Sequence, residues 1–224
     1  MTMQDKEENF ANDDHFSWIW NPSSFEVDDS ANIKSLRAHE VIASGRLNFQ
    51  KDFPALLRAW ASLGDKRTDW KLKIIGEGGD MKNLQNLATE LGIFDSVVLS
   101  GYSSDVAGEM QKASVFAMTS LYEGFGLVIV EAMSCRLPVV SFDTKYGPRD
   151  IIRDGVDGFL VENRDEKVFA DKLYQLMSDA ELREKMAANA EERAKEFDVN
   201  KIAARWMEEY RKLMAEKLRR LNKC

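Results

Sequence analysis

Between residues 41 and 161 the sequence alternates in a way that leaves few folds open. Six short apolar runs recur: VIAS (41–44), LKIIG (72–76), VVLS (97–100), VFAM (115–118), PVVSF (138–142) and GFLV (158–161). Runs this short, with no internal polar alternation, read as strands covered on both faces. The stretches between them place apolar residues at helical spacing. Phe53, Leu56, Leu57, Trp60 and Leu63 form one stripe, and Met81, Leu84, Leu87, Ala88 and Leu91 another. Shorter helices fit 104–113 and 126–135. Strand–helix–strand repetition predicts an α/β domain, a doubly wound parallel sheet with helices on both faces. Ligands in such sheets sit at the carboxyl ends of the strands.

The flanks read differently. Residues 1–17 are polar and acidic and read as a flexible lead, and 18–40 read as a linker between domains. Within SWIWNPSSF (17–25), Ile19 and the two tryptophans are expected to pair as a short strand that Asn21-Pro22 ends. The tail is helical. Val168, Phe169, Leu173, Leu176 and Met177 make one stripe. A longer one runs from Val199 through Ile202, Trp206, Met207, Tyr210, Leu213, Met214 and Leu218 to Leu221, enough for a helix of roughly 35 Å. These Trp and Met stripes read as core.

Composition removes several classes. The 224 residues carry 31 Lys and Arg against 38 Asp and Glu, a net charge of −7, which disfavours a nucleic-acid partner. The two cysteines cannot make a disulfide framework or a Cys-rich zinc site. Cys135 reads as a small core residue and Cys224 as an exposed thiol. The two histidines, His15 and His39, are too few for a metal triad and read as linker residues. No run approaches the roughly 20 apolar residues of a membrane span. The acidic start MTMQDKEENFANDD lacks the apolar centre of a signal peptide, so the cytosol is the expected compartment. The segment 211–224 holds six Lys or Arg and one Glu. It reads as a solvated face suited to a helix C-terminus, or as a contact for the anionic inner face of a membrane.

Two segments sit where strands end. In SGRLNFQKDF (44–53), Gly45 allows a tight turn, Arg46 and Lys51 flank the loop, and a helix starts near Asp52. Two cations beside a helix N-terminus suit a diphosphate, the alternative being two solvated loop residues. Removing either should weaken anion binding and leave stability nearly unchanged. In LYEGFGLVIVEAMSC (121–135), Gly124-Phe125-Gly126 makes a bare turn at a helix start, whose amides can face an anion. Glu123 precedes that helix and Glu131 lies inside it among Val128, Ile129, Val130, Ala132 and Met133. A carboxylate so placed needs donors if buried, and sugar hydroxyls supply them. If Glu131 instead faces water, both are ordinary helix acids.

Taken in order, these segments resemble the retaining glycosyltransferases of family 4, also called glycosyl transferases group 1. The resemblance covers about residues 18–215 and rests on IWNP, GRLNFQK (45–51), GEGGD (76–80), LSGYSSDV (99–106), the Glu123-x7-Glu131 element, EAMSCRLPVVSFD (131–143) and YGPRDIIRDGVDGFLV (146–161). It implies a Rossmann-like domain spanning 41–224, the C-terminal, donor-binding half of a two-domain GT-B enzyme, with an N-terminal acceptor domain absent from this sequence. Arg46 and Lys51 match the pair that binds the donor diphosphate, Glu123 the carboxylate on the donor hexose, and Glu131 the one on the ribose. The backbone of Gly45, Gly124, Phe125, Gly126 and Leu127 matches the phosphate and sugar cradle. Tyr102 falls near the base, or is a surface aromatic. Glu123, Arg46 and Lys51 are the residues implied in catalysis. The donor would be a UDP- or GDP-sugar, with no resident cofactor and no metal, and the acceptor a glycan, lipid-linked or polymer chain.

Arg136 stands where relatives usually have Gly, at a site favouring left-handed backbone, at a cost of about 1 kcal/mol. The YGPRD segment replaces a more usual Gly pair and Glu. Two other readings stand beside the glycosyltransferase one: a non-catalytic nucleotide-sugar-binding module or subunit, and a sugar-nucleotide epimerase, against which the Glu123-x7-Glu131 context argues. A dinucleotide oxidoreductase is disfavoured, because Ser44-Gly45-Arg46-Leu47-Asn48 replaces the G-x-G-x-x-G turn.

Overall fold

A computed structural model describes residues 19–23 and 37–221. Six parallel strands form one sheet: β1 (Glu40–Ser44), β2 (Lys71–Ile75), β3 (Val97–Gly101), β4 (Val115–Met118), β5 (Val139–Phe142) and β6 (Gly158–Val161). Their spatial order is β3-β2-β1-β4-β5-β6. The direction of winding reverses between β1 and β4, which pair through Val41–Val115 and Ile42–Phe116. The predicted doubly wound sheet is therefore present, and each strand lies within a residue of its expected bounds.

The helices are α1 (Phe53–Ser62), α2 (Met81–Glu90), α3 (Val106–Lys112), α4 (Leu127–Ser134), α5 (Pro148–Ile151), α6 (Glu166–Ser178), α7 (Ala180–Ala194) and α8 (Val199–Leu221). Strand residues divide between the two faces with period two. Val41, Ala43, Leu72, Ile74 and Phe142 join Leu56, Trp60, Leu84, Phe169 and Leu173 under α1, α2 and α6. Ile42, Phe116, Met118 and Val139 join Met110, Ile129, Val130, Met133, Ala190 and Phe197 under α3, α4 and the later turns of α7. Both faces carry a buried apolar cluster, which is why most strands read as apolar runs, while the edge strand β3 is only part-buried. Cys135 belongs to the second cluster, as expected.

Several expectations are corrected at the flanks. Residues 19–22 form no strand; the segment contributes one isolated bridge, Ser23 to Asp198, with the Ser23 amide donating to the Phe197 carbonyl at 2.9 Å. Pro22 lacks an amide, and the Trp20 ring is committed to packing, 4.8 Å from the Phe197 ring centroid with the Arg193 guanidinium over it at 5.0 Å. Trp18, the 1–17 lead and Cys224 lie outside the described residues. His39 is no loose linker residue. It stacks on Trp70 at 4.9 Å, and its carbonyl accepts from the Lys71 amide at 2.9 Å. His15 lies outside the described residues.

The long C-terminal helix is also corrected in part. It forms as expected, but its stripe is not core. Ile202 is buried, whereas Trp206, Met207, Tyr210, Leu213, Met214 and Leu218 are exposed. A helical period reports that one side is apolar; it does not report what covers that side. Arg136 does adopt left-handed backbone, at φ 57°. Its guanidinium ties α4 to α7 through Glu184, at 2.7 Å, and Glu191. No helix among the described residues is long and apolar enough to cross a membrane.

Candidate donor-binding site

The site is built where β1 and β4 end side by side. After β1 the chain turns through Gly45 and makes a short 3-10 turn, Phe49–Lys51, capped by the Asn48 side chain, which accepts from the Lys51 amide at 3.3 Å. Asp52 then starts α1, its carboxylate accepting from the Ala55 amide at 3.4 Å. The Lys51 stem lies across Gly45, where a side-chain carbon would come within 2.8 Å of Lys51 Cε. Glycine there leaves room for the lysine to reach along the strand end.

The segment after β4 docks onto this loop. Thr119 Oγ1 donates to the carbonyls of Lys51, at 3.1 Å, and Asp52, at 3.0 Å. The Leu121 amide donates to the Gln50 carbonyl at 2.8 Å, and Gln50 Nε2 to the Tyr122 carbonyl at 3.1 Å. Glu123 is thereby carried to Lys51, and Lys51 Nζ pairs with Glu123 Oε1 at 2.7 Å, with side chains only 16% and 9% exposed. Sequence reasoning singled out both residues but not their pairing, which joins positions 72 residues apart.

α4 begins immediately beyond. Gly126 sits at its N-cap with φ 88°. Phe125 turns its ring inward, 5.9 Å from Phe197. The turn is backed by Gly147, φ 94°, where a side-chain carbon would lie 2.3 Å from the Phe125 carbonyl oxygen. The Ile129 amide bonds to the Gly126 carbonyl at 2.8 Å. The first-turn amides of a helix have no partner within the helix, so those at Leu127 and Val128 are oriented for an external acceptor.

Glu131 lies one turn into α4, half-buried between Val130 and Ala132. Burial pushes its carboxyl above the ordinary carboxylate range, and Lys51 pulls it partly back. One ammonium thus acts on two carboxylates. Arg46 is exposed, and its guanidinium has no ion-pair partner among the described residues. Tyr102 is 73% exposed on the loop after β3, two strands away from β1. Gly45, Lys51, Glu123, Gly124, Phe125, Gly126, Leu127 and Glu131 are brought to one place; Arg46 borders it, and Tyr102 is not brought into contact with it.

Arg164 escaped the sequence reading. From the turn after β6 it donates to the Ser120 carbonyl at 2.7 Å and the Thr119 carbonyl at 3.0 Å, and pairs with Asp52. Nothing in the pattern around it, one arginine in a polar loop, marks it out.

The family model for glycosyl transferases group 1 matches residues 25–193. The chain belongs to this family. It is similar to the amylovoran biosynthesis glycosyltransferase AmsD of Erwinia amylovora, 31% identical over 84% of this chain and 54% of AmsD. It is also similar to the N-acetylgalactosamine-N,N'-diacetylbacillosaminyl-diphospho-undecaprenol 4-alpha-N-acetylgalactosaminyltransferase of Campylobacter jejuni, 36% identical over 75% of this chain and 46% of that enzyme. Among solved structures it resembles Anabaena HepE in complex with UDP, with TM-score 0.76 and 27% identity, over 87% of this chain and 57% of that one. A Staphylococcus aureus TarM mutant in complex with fondaparinux, alpha-GlcNAc-glycerol and UDP gives 0.73 and 28%, over 86% and 38%. The chain spans about half the length of these two curated relatives.

Proposed function

We propose that this chain is the donor-binding half of a retaining glycosyltransferase, moving a hexosyl group from a UDP- or GDP-sugar to a glycan, lipid-linked or polymer acceptor. The observation that carries the reading is the Lys51 ammonium paired with Glu123 beside the N-terminus of α4, near enough to Glu131 to act on its carboxyl, where β1 and β4 diverge. A sheet of this kind takes its ligand there. The relatives whose solved forms contain UDP support a nucleotide donor.

The roles follow from charge. Arg46 and Lys51 take the diphosphate, with the amides at Phe125, Gly126 and Leu127 completing the cradle. Glu131 accepts from the ribose hydroxyls, whose donors relieve a half-buried carboxylate. Glu123 holds Lys51 until the phosphate competes for it, and then accepts from the hexose. As the bond from sugar to phosphate lengthens, negative charge grows on the departing diphosphate, and the two cations and the helix amides stabilise it. The nucleotide sugar is substrate, and the scheme draws on no resident cofactor or metal. An acceptor-binding domain outside these residues completes the cleft and covers the apolar side of α8, and the cationic end of α8 rests on the anionic inner face of a membrane.

Calorimetry tests the donor site on this chain alone. UDP or GDP should bind more tightly than NAD. Glu131→Gln should weaken a nucleoside diphosphate and its sugar conjugate alike, while Glu123→Gln weakens only the conjugate. Equal losses for both ligands in both variants would refute the division of roles.

A further inference from the structure

We infer that Arg164 is a positioning residue for donor binding, setting the Lys51 loop against the strand end that carries Glu123. This rests on the reading of Lys51 as the diphosphate ligand. Asn163 and Arg164 lie at φ 53° and 54°, consecutive left-handed residues with no glycine between them. Side chains resist that conformation, and it persists where the surroundings over-determine it. Here the surroundings are specific. The Arg164 guanidinium lies over the Phe142 ring at 4.5 Å and serves three acceptors: the Ser120 carbonyl, the Thr119 carbonyl and the Asp52 carboxylate. Asp52 directly follows Lys51, and Thr119-Ser120 shortly precede Glu123. The guanidinium therefore joins the Asp52 side chain to the Thr119-Ser120 backbone, tying together the two segments that carry Lys51 and Glu123. A planar fork of five N–H donors meets three such acceptors together; an ammonium, with three donors on one atom, matches this spacing poorly.

The test separates positioning from mere support. UDP and GDP are titrated into the wild-type chain, and the tighter one and its parent nucleoside are then titrated into Arg164→Met, Arg164→Lys, Lys51→Met and the Arg164→Met/Lys51→Met pair. Arg164→Met is expected to lower diphosphate affinity by roughly ten-fold and to leave the nucleoside unaffected. Arg164→Lys should recover part of the loss. The double variant should bind no worse than Lys51→Met alone, because Arg164 acts through Lys51. Equal losses for nucleoside and diphosphate, or additive losses in the double variant, would overturn the inference. If Lys51→Met by itself leaves diphosphate affinity intact, the reading of Lys51 fails first, and the single variant reports that separately. Should Arg164→Met melt below the assay temperature, Arg164→Lys carries the same cycle.

Discussion

Lys51 illustrates how a loop residue acquires a structural stake. With Glu123 only 9% exposed, removing the lysine leaves a carboxylate poorly solvated and unpaired. Lys51→Met should therefore cost about 1–3 kcal/mol in thermal or urea unfolding, and adding Glu123→Gln should return much of it. This departs from the expectation that a loop cation is dispensable to stability. Arg46, exposed and free of ion pairs among the described residues, keeps that expectation: Arg46→Ala should shift unfolding by no more than about 0.5 kcal/mol. Glu131 gives a pH signature. Its folded-state value is raised by burial above the ordinary 4.5, so the folded chain holds the proton more tightly than the unfolded one. Stability should fall as pH rises from 4.5 through the raised value and level off above it. Urea midpoints measured across that range should lose the slope in Glu131→Gln.

At the level of elements, the C-terminal helix offers a contrast along a single surface. Ile202→Ala should cost about 2–5 kcal/mol, because the side chain is fully enclosed. Leu213→Gln, about three turns on, should move the midpoint by less than about 0.5 kcal/mol, since the side chain is 62% exposed. Denaturant titrations of the two variants decide the matter. The difference shows what the sequence could convey. Most strands were legible because burial leaves them few polar residues, and α1 and α2 because their stripes repeat at 3.6. The placement of Lys51 and Glu123 at strand ends was legible too, since turn glycines and loop charges mark those ends. Their ion pair, the Arg164 contacts and the packing of Trp20 on Phe197 were not. Each depends on two loops meeting in space, and no periodicity in either loop encodes the other. Left-handed Arg136 was anticipated, but its ties to Glu184 and Glu191 on α7 were not, for the same reason.

For the molecule as a whole, ligand binding and folding share one reservoir of free energy. A diphosphate at about a hundred times its dissociation constant should raise stability by about 2.7 kcal/mol, visible as a higher melting temperature, while NAD at equal concentration should not. The Ser23 bridge to Asp198 bears on a different matter. Ser23 meets the segment just before α8, its amide bonding to the Phe197 carbonyl at 2.9 Å. Every residue assigned to the proposed donor site lies between those two positions in the sequence. A unit whose two ends lie side by side can be exchanged like a cartridge. Cutting at 23 and 198 and grafting in the matching stretch of another group 1 enzyme would move donor preference as a block, while whatever receives the sugar stays in place.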